Sequence, residues 1–254
     1  MDDLFSVAGK VVLITGSSRG LGACLAEGFA ARGALAIING TNSENVNQRV
    51  AKIRQVGGKA EGYAFDINQP DQVRLNIAQI EDQAGPIEVL INNAGIHRRA
   101  PLADMTLEDW NEVIQLNLNA AFIASQAVAK GMIHRKRGKI INITSLMAEK
   151  ARETTGNYCA AKGGLKMLTK AMATEWGAFN IQVNAIGPGY FLTDLTRKLT
   201  DDPKFDGWVK QEVPLKRWGE PAELVGAAIF LASKASSYVN GQTIYVDGGW
   251  LASL

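Results

Sequence analysis

Short apolar runs alternate along the chain with longer segments of helical periodicity, and this alternation limits the choice of fold. The predicted strands are KVVLIT (10–15), ALAIIN (34–39), AEGYAFD (60–66), IEVLINN (87–93), GKIINIT (138–144), IQVNAI (181–186) and QTIYVD (242–247). The predicted helices are 20–33, 43–56, 70–84, 107–131, 157–177 and 220–233, whereas 188–217 is predicted to be irregular. Strands that are apolar on both faces and separated by helices indicate a parallel sheet covered on both sides.

Right-handed crossovers then predict an α/β fold: a doubly wound, Rossmann-type, seven-stranded parallel sheet with helices on both faces. The length of 254 residues favours one domain over 1–254, and 46% hydrophobic residues suffice for a sizeable core. Ligands of such sheets bind beyond the carboxyl ends of the strands, so candidate site residues are sought directly after each strand.

Charge and cysteine content exclude several classes of protein. A net charge of +2, with HRKRGK (134–139) as the densest basic run, argues against nucleic acid as a partner. Two cysteines and two histidines make neither a disulfide framework nor a usual zinc site, so no metal is expected. The acidic start MDDLFSVAGK does not resemble a signal peptide, and no run has the ~18 apolar residues of a membrane helix. We therefore expect no membrane partner and a cytoplasmic protein.

A glycine-rich turn, TGSSRGLG (15–22), links the first strand to the first helix. Gly16, Gly20 and Gly22 allow a tight turn, close approach of backbone to a pyrophosphate and close helix packing. The spacing is G-x-x-x-G-x-G rather than G-x-G-x-x-G, so a dinucleotide site and a purely structural turn both remain open. The Gly-Lys-Ser/Thr sequence of a P-loop is missing, which argues against a triphosphatase.

The end of the second strand, NGTNSE (39–44), bears on which dinucleotide would bind. An acid for the ribose of NAD is expected near this point, but 39–42 is uncharged. Arg19, inside the glycine turn, can pair with a 2′-phosphate. Both features favour NADP, while Glu44 nearby and a solvated Arg19 keep NAD possible.

The segment NYCAAKGG (157–164) places Tyr158 and Lys162 one helical turn apart on the same face. A free phenol titrates near 10, and a neighbouring ammonium group favours its phenolate. The pair is therefore either an exposed polar edge or a base with a tuned proton affinity.

Five motifs in order decide between these two interpretations: the glycine turn, NNAG (92–95), NITS (142–145), Tyr158-x-x-x-Lys162 and PGY (188–190). With them the chain resembles a short-chain dehydrogenase/reductase over essentially its whole length. DLFSVAGKVVLITGS, NNAGIHRR, GPGYF, RWGEP, SKASSYVNG and VDGGWL are similar to segments of the bacterial gluconate 5-dehydrogenases within that family. Dehydrogenases of deoxy-ketogluconates share several of these segments.

The resemblance implies a role for each matching residue. Tyr158 would be the general acid/base, Ser145 would bind the substrate oxygen, Lys162 would bind the nicotinamide ribose, and Asn117 would hold a proton-relaying water. The implied cofactor contacts are Gly16, Ser18, Arg19, Gly20, Leu21, Gly22, Thr41, Asp66, Ile67, Asn93, Ala94, Gly95, Tyr158, Lys162, Pro188, Gly189 and Thr193. The resemblance also implies a homotetramer formed through the last strand and the helices 107–131 and 157–177. Trp250 and Leu251, which are more apolar than a free tail needs, are expected to pack over a neighbouring subunit's site.

A sugar acid needs a cation for its carboxylate. Arg98 and Arg99, beside His97, follow the fourth strand, and Arg152 lies between Ser145 and Tyr158. A guanidinium group binds a planar carboxylate through two parallel hydrogen bonds. We expect at least one of these arginines to bind substrate, the alternative being surface or subunit-contact charges.

The stretch FLTDLTRKLTDDPKFDGW (191–208) predicts a lid over cofactor and substrate, because loops of this length are usually functional. The resemblance implies an NADP(H)-dependent oxidoreductase that interconverts D-gluconate and 5-keto-D-gluconate. Alternatives are the same mechanism on another keto-sugar acid, such as a 2-dehydro-3-deoxy-gluconate, or on a 3-oxoacyl thioester. A catalytically silent dinucleotide-binding regulator is the alternative from another class.

Overall fold

A computed structural model describes residues 4–193 and 196–253. Its strands form one seven-stranded sheet in the order β3-β2-β1-β4-β5-β6-β7, with parallel pairing throughout. The strands are β1 (Val11–Ile14), β2 (Leu35–Gly40), β3 (Lys59–Ala64), β4 (Ile87–Asn92), β5 (Gly138–Ile143), β6 (Ile181–Pro188) and β7 (Thr243–Val246). The predicted doubly wound α/β architecture is confirmed.

Nine helices are described: α1 (Gly20–Ala30), α2 (Ser43–Gln55), α3 (Pro70–Gln83), α4 (Leu107–Ile114), α5 (Ala120–Arg135), α6 (Gly156–Trp176), α7 (Arg197–Thr200), α8 (Pro203–Glu212) and α9 (Val225–Ala232). One buried apolar cluster joins α1 and α9 to the sheet through residues such as Phe29 and Ile229. Another joins α3 and α5 to it through residues such as Ile77 and Met132. Apolar residues cover both faces of the central strands, as continuous burial of β5 and β6 requires.

The strand order reverses between β1 and β4, which are neighbours in the sheet although β2 and β3 lie between them in sequence. The helices that follow β1 and β4 therefore pack on opposite faces of the sheet, α1 in one apolar cluster and α5 in the other, and a crevice opens at the carboxyl edge. The glycine turn and the NNAG motif both follow these strands, so the fold brings them together at this crevice.

Two sequence-based boundaries were wrong. The helix predicted over 107–131 is interrupted by a π-helical turn, Gln115–Asn119, and continues to Arg135. The stretch 188–217, predicted to be irregular, contains α7 and α8. Asp202 accepts a hydrogen bond from the Lys204 N–H at 3.0 Å, and Pro203 occupies the first turn, so Asp-Pro starts α8 as a capping pair.

No helix among the described residues combines the length and apolarity that crossing a bilayer requires.

Candidate active site

The glycine turn is held tightly against the loop after β4. Gly16 has φ +62°, and a Cβ there would lie 3.0 Å from the Ala94 Cα. A Cβ at Gly22 would lie 2.4 Å from the Asn93 Nδ2. Side chains at these two positions would push the loops apart, so glycine is required there for packing.

Thr15 and Asn93 bond the two loops to each other. The Thr15 hydroxyl accepts hydrogen bonds from the N–H groups of Asn93 (3.0 Å) and Ala94 (3.1 Å). The Asn93 Nδ2 donates to the Thr15 carbonyl at 2.9 Å. Asn93, Ala94 and the glycine turn, all predicted cofactor contacts, therefore form one rigid unit.

Asn39, at the end of β2, has a structural role that the sequence did not reveal. It is fully buried, its Oδ1 accepts from the Gly16 N–H at 3.2 Å, and its Nδ2 donates to the Phe65 carbonyl at 3.1 Å. Its side chain lies beneath the glycine turn rather than at the surface where a ribose would bind. The sequence signal that could have indicated this role is the single asparagine at the end of the apolar run 34–39.

The start of α1 fits a pyrophosphate. Arg19, the N-cap residue, makes no side-chain capping bond, and the first turn of α1 carries no acidic residue. Gly20 has φ +58°, and no atom lies within 4 Å of the point that a Cβ would occupy, so space is open in front of the turn. Uncapped N–H groups with a positive helix end and open space are what a dinucleotide phosphate requires.

The other predicted contacts of the turn lie on either side of this space. Ser18 and Leu21 are half-buried, and the Ser18 carbonyl accepts from the Arg49 Nε at 3.2 Å. The Arg49 guanidinium also pairs with Glu27, so its charge is already neutralised. Arg19 is exposed and forms no ion pair with any described residue.

The predicted adenosine contacts follow β2 and β3. Thr41 is exposed directly after β2. One carboxylate oxygen of Asp66 accepts from the Asn68 N–H at 2.9 Å, which fixes the turn after β3, while Ile67 is buried beside it. Both segments lie at the same sheet edge as the glycine turn.

Tyr158 and Lys162 lie in the first turns of α6, as predicted. The Lys162 Nζ is 5.5 Å from the centroid of the Tyr158 ring and donates to the Ile143 carbonyl at 2.7 Å. Only 3% of Lys162 is exposed. Burial lowers the pKa of Lys162 to about 8, which makes its charge state sensitive to mildly alkaline pH.

Ser145 follows β5 and faces the phenol. Burial raises the pKa of Tyr158 to about 12, and a hydrogen bond with the Ser145 side chain opposes that rise. The Ser145 Oγ also accepts from the Met147 N–H at 3.2 Å, which orients the hydroxyl. Without a ligand the phenol is thus kept protonated, and an added positive charge nearby would favour its ionisation.

Asn117 lies in the π-helical turn with 1% of its surface exposed. Its Nδ2 donates to the Ile96 carbonyl and its Oδ1 accepts from the Ile96 N–H, both at 2.8 Å. The side chain is therefore committed to the loop after β4. The water assigned to Asn117 from the family resemblance stays a prediction.

The remaining predicted cofactor contacts include Gly95, Gly189 and Thr193, and each of them packs closely against a neighbouring segment. A Cβ at Gly95 would lie 2.5 Å from the Asn117 Oδ1. A Cβ at Gly189, which follows Pro188 at the end of β6, would lie 2.8 Å from the Asp247 Cα. The Thr193 N–H donates to the Thr196 hydroxyl at 2.9 Å and so begins the predicted lid. Residues 194 and 195 of that lid lie outside the described residues.

The three candidate arginines have different partners. Arg98 forms two hydrogen bonds of 2.8 Å with the Glu112 carboxylate, so its charge is neutralised. Arg99 donates to the Thr154 hydroxyl at 3.0 Å. Arg152 donates to the Tyr190 hydroxyl at 2.9 Å, with its guanidinium carbon 4.8 Å from the centroid of the Phe205 ring.

Arg99 and Arg152 create an uncompensated positive region. Burial and the positive charge of Arg152 both lower the pKa of Arg99. Neither arginine forms an ion pair within 4–193 and 196–253. Arg99 is exposed and Arg152 is half-buried. Two neighbouring guanidinium groups without an acid favour an anionic ligand between them.

An aromatic cluster around Tyr190 covers this region and was not foreseen. The Tyr190 ring centroid is 5.1 Å from that of Trp250, 5.6 Å from that of Trp218 and 5.7 Å from that of Phe205. Trp250 packs in this cluster within its own chain, where only 8% of it is exposed, and Leu251 beside it is half-buried. The expected packing of these two residues over a neighbouring subunit stays a prediction. The described residues include no group of three His, Cys, Asp or Glu side chains suited to a metal.

Comparison with known proteins gives a consistent result over the whole chain. A family model described as enoyl-(acyl carrier protein) reductase matches residues 16–251. Gluconate 5-dehydrogenase of Gluconobacter oxydans is 48% identical over 99% of this chain and 98% of its own. The 2-dehydro-3-deoxy-D-gluconate 5-dehydrogenase of Formosa agariphila is also 48% identical, over 99% of this chain and 96% of its own.

Among solved structures, a gluconate 5-dehydrogenase from Burkholderia cenocepacia in complex with NADP and tartrate superposes with a TM-score of 0.97. It is 46% identical, and the match covers 99% of both chains. With the sheet order, the glycine turn and the Ser145, Tyr158 and Lys162 arrangement already established, these matches show that the chain belongs to the short-chain dehydrogenase/reductase family of oxidoreductases.

Proposed function

We propose that this enzyme interconverts D-gluconate and 5-keto-D-gluconate with NADP(H). The observation that carries the proposal is the uncompensated Arg99 and Arg152 pair, whose charges act on His97, the residue stacked on Tyr158. A cationic pocket suits a free carboxylate, and the named gluconate 5-dehydrogenases are similar over the whole chain. A neutral ketone would gain nothing from this charge.

Bound NADPH supplies the hydride, and this chain's own residues bind, orient and protonate the substrate. Ser145 donates a hydrogen bond to the keto oxygen as negative charge develops there. Tyr158 donates its phenolic proton to that oxygen in reduction and removes a proton from the hydroxyl in oxidation. Protonated Lys162 stabilises the phenolate that reduction leaves behind.

NADP is the proposed cofactor, with NAD as the alternative. Arg19 is exposed at the glycine turn without an ion-pair partner among the described residues, and β2 ends without an acid at 39–42. The Burkholderia structure named above contains NADP. The first two observations support binding of a 2′-phosphate beside Arg19, and the third supports NADP as the cofactor.

A second candidate substrate is 2-dehydro-3-deoxy-D-gluconate. The Formosa enzyme named for it is as similar to this chain as the Gluconobacter enzyme, at 48% identity each. Both compounds carry a free carboxylate, so the arginine pair fits either. A 3-oxoacyl thioester carries a neutral thioester in place of the carboxylate and makes no use of the pair.

A spectrophotometric substrate panel tests the proposal. NADPH oxidation is followed with 5-keto-D-gluconate, 2-keto-D-gluconate and an acetoacetyl thioester, and NADP⁺ reduction is followed with 2-dehydro-3-deoxy-D-gluconate, whose C5 hydroxyl a 5-dehydrogenase oxidises. We expect the highest kcat/KM with 5-keto-D-gluconate, and in Tyr158→Phe a loss of kcat of about 10²-fold or more, far larger than any change in NADPH affinity. A higher kcat/KM with the thioester, or full activity of Tyr158→Phe, would refute the proposal. Stoichiometric NADPH binding without turnover of any compound would instead support a silent regulator.

We also propose a homotetramer in the cytoplasm. Large apolar side chains are exposed on the helices expected at subunit contacts, with Leu107 75%, Phe122 43% and Met167 64% exposed. Exposed large apolar side chains on these three helices support subunit contacts there. Light scattering during gel filtration tests the oligomer, and a monomer at micromolar concentration would contradict it.

A further inference from the structure

His97 lies flat against the ring of Tyr158. The ring centroids are 3.6 Å apart and the ring planes are inclined by 22°. This contact joins the loop after β4 to the first turn of α6. The imidazole is therefore one of the groups nearest to the phenol that handles the proton.

The backbone on both sides of His97 is fixed. Ile96 is bound through both of its backbone polar groups by Asn117, and the Arg98 carbonyl accepts from the Asn157 Nδ2 at 3.0 Å. Asn117 and Asn157 are both buried. Two buried asparagines thus place the imidazole without using any hydrogen bond to the imidazole itself.

The ring nitrogens of His97 have no partner among the described residues. Nδ1 is enclosed and unbonded, and Nε2 makes no hydrogen bond to any of them. Buried polar atoms are normally paired, and an unpaired one costs about 1–3 kcal/mol. Such a cost at an active site is relieved when a ligand supplies the missing partner.

The charge state of the ring narrows the choice of ligand group. The titratable groups facing it are Lys162, Arg99 and Arg152, together with the stacked Tyr158. Burial and those three cations lower the pKa of His97 to about 4, so it is neutral at physiological pH. A neutral imidazole offers one N–H donor and one acceptor, which matches hydroxyl groups rather than a carboxylate.

We propose that His97 is the residue that recognises the hydroxyl groups of the substrate next to its reacting carbonyl. Arg99 and Arg152 bind the charged end, and His97 selects a polyhydroxylated chain over a bare keto acid. The inference rests on the proposed function and adds a specificity residue to it. The competing explanation, that His97 only packs against Tyr158, predicts that phenylalanine can replace it.

The test compares His97→Phe, which keeps the flat stacked ring, with His97→Gln, which keeps a donor and an acceptor. Two ligands are used: 5-keto-D-gluconate, and 5-oxohexanoate, which has the same carbon chain, carboxylate and ketone but no hydroxyl groups. For His97→Phe we expect kcat/KM for 5-keto-D-gluconate to fall about 10-fold or more, as loss of a hydroxyl partner predicts. The inhibition constant of 5-oxohexanoate should change by less than about 3-fold. His97→Gln should recover part of the loss.

Two results would overturn the inference. One is an unchanged kcat/KM for 5-keto-D-gluconate in His97→Phe. The other is a rise in the inhibition constant of 5-oxohexanoate as large as the fall in kcat/KM for 5-keto-D-gluconate. Thermal unfolding and NADPH binding of each variant separate these results from misfolding, and His97→Gln provides the second measurement if His97→Phe does not fold. A wild-type enzyme without activity on 5-keto-D-gluconate would refute the proposed function instead.

Discussion

The side-chain amide of Asn117 binds both backbone polar groups of Ile96, with each hydrogen bond 2.8 Å long. The π-helical turn that carries Asn117 widens the helix at the point where it meets the loop after β4. That loop continues into His97 and Arg99. A residue that the family resemblance assigns to a proton relay thus also sets the geometry of the substrate side of the pocket.

Replacing Asn117 should damage both stability and substrate binding. Asn117→Ala removes two buried hydrogen bonds and leaves the Ile96 backbone unpaired, which should lower the free energy of unfolding by about 2 kcal/mol. Substrate kcat/KM should fall more than NADPH affinity, because the loop carries substrate residues. The control is Asn119→Ala in the same π-helical turn, whose exposed side chain bonds only to Gln115 among the described residues. Equal effects of the two substitutions would contradict this assignment.

Arg99 and Arg98 are adjacent in sequence and should behave differently. Arg99→Ala should raise KM for 5-keto-D-gluconate about 10- to 100-fold, the usual cost of a lost charge-assisted hydrogen bond. Arg98→Ala should change KM less than about 2-fold, because Glu112 already neutralises Arg98 at an exposed site. Steady-state kinetics of the two variants measure these KM values. An equal rise in KM in Arg98→Ala and Arg99→Ala would refute the assignment of Arg99 to the substrate carboxylate.

The charge of Lys162 should set an alkaline limb in the pH profile. Its pKa is lowered to about 8, so kcat/KM for keto-acid reduction should fall as pH rises through about 8, because neutral Lys162 no longer stabilises the phenolate. The unfolded chain keeps this lysine protonated up to about 10.4, so it binds more protons than the folded enzyme between these values. Titration of Lys162 therefore makes the free energy of unfolding rise with pH between about 8 and about 10.4. The activity lost over this range is thus not caused by unfolding of the enzyme through Lys162. His97→Phe should keep the limb, whereas a wild-type profile that stays flat well above this pKa would contradict the role of Lys162.

Helices α7 and α8 should become more protected from hydrogen exchange when ligands bind. The guanidinium of Arg152 lies on Phe205 of α8, 4.8 Å from the ring centroid, so a substrate at Arg152 also contacts the lid through this pair. Amide hydrogen exchange over 197–212 should slow when NADP and substrate are added together. The last turn of α3 (79–83), which precedes β4 and lies at the opposite edge of the sheet from the crevice, is the internal reference. Exchange in 197–212 that is equally slow with and without ligands would exclude a lid.

Arg19 should control the choice between NADPH and NADH. Arg19→Ala should raise KM for NADPH about 10-fold and that for NADH less than about 2-fold, because only the former carries a 2′-phosphate. Arg32→Ala is the control, since Arg32 is an exposed arginine just beyond α1 that bonds to the Gly28 carbonyl. Equal changes for the two cofactors would remove Arg19 from the phosphate site.

The sequence by itself determined the features that depend on local periodicity and spacing. Strand and helix alternation defined the parallel sheet, and three glycines at fixed spacing defined the turn at its switch point. The spacing of Tyr158 and Lys162 placed both on one face of α6, since one helical turn separates them. The short helix α8 was missed because its only local signal is the capping pair Asp202 and Pro203.

Contacts between distant segments were decided by the tertiary structure alone. The stacking of His97 on Tyr158 joins the loop after β4 to α6, and the packing of Trp250 on Tyr190 joins the chain end to β6. Arg98 and Arg99 have the same chemistry and neighbouring positions, yet one is neutralised by Glu112 and the other faces Arg152. The physical reason is that spacing along a chain fixes which face of an element a side chain occupies, whereas its partner depends on how whole elements pack.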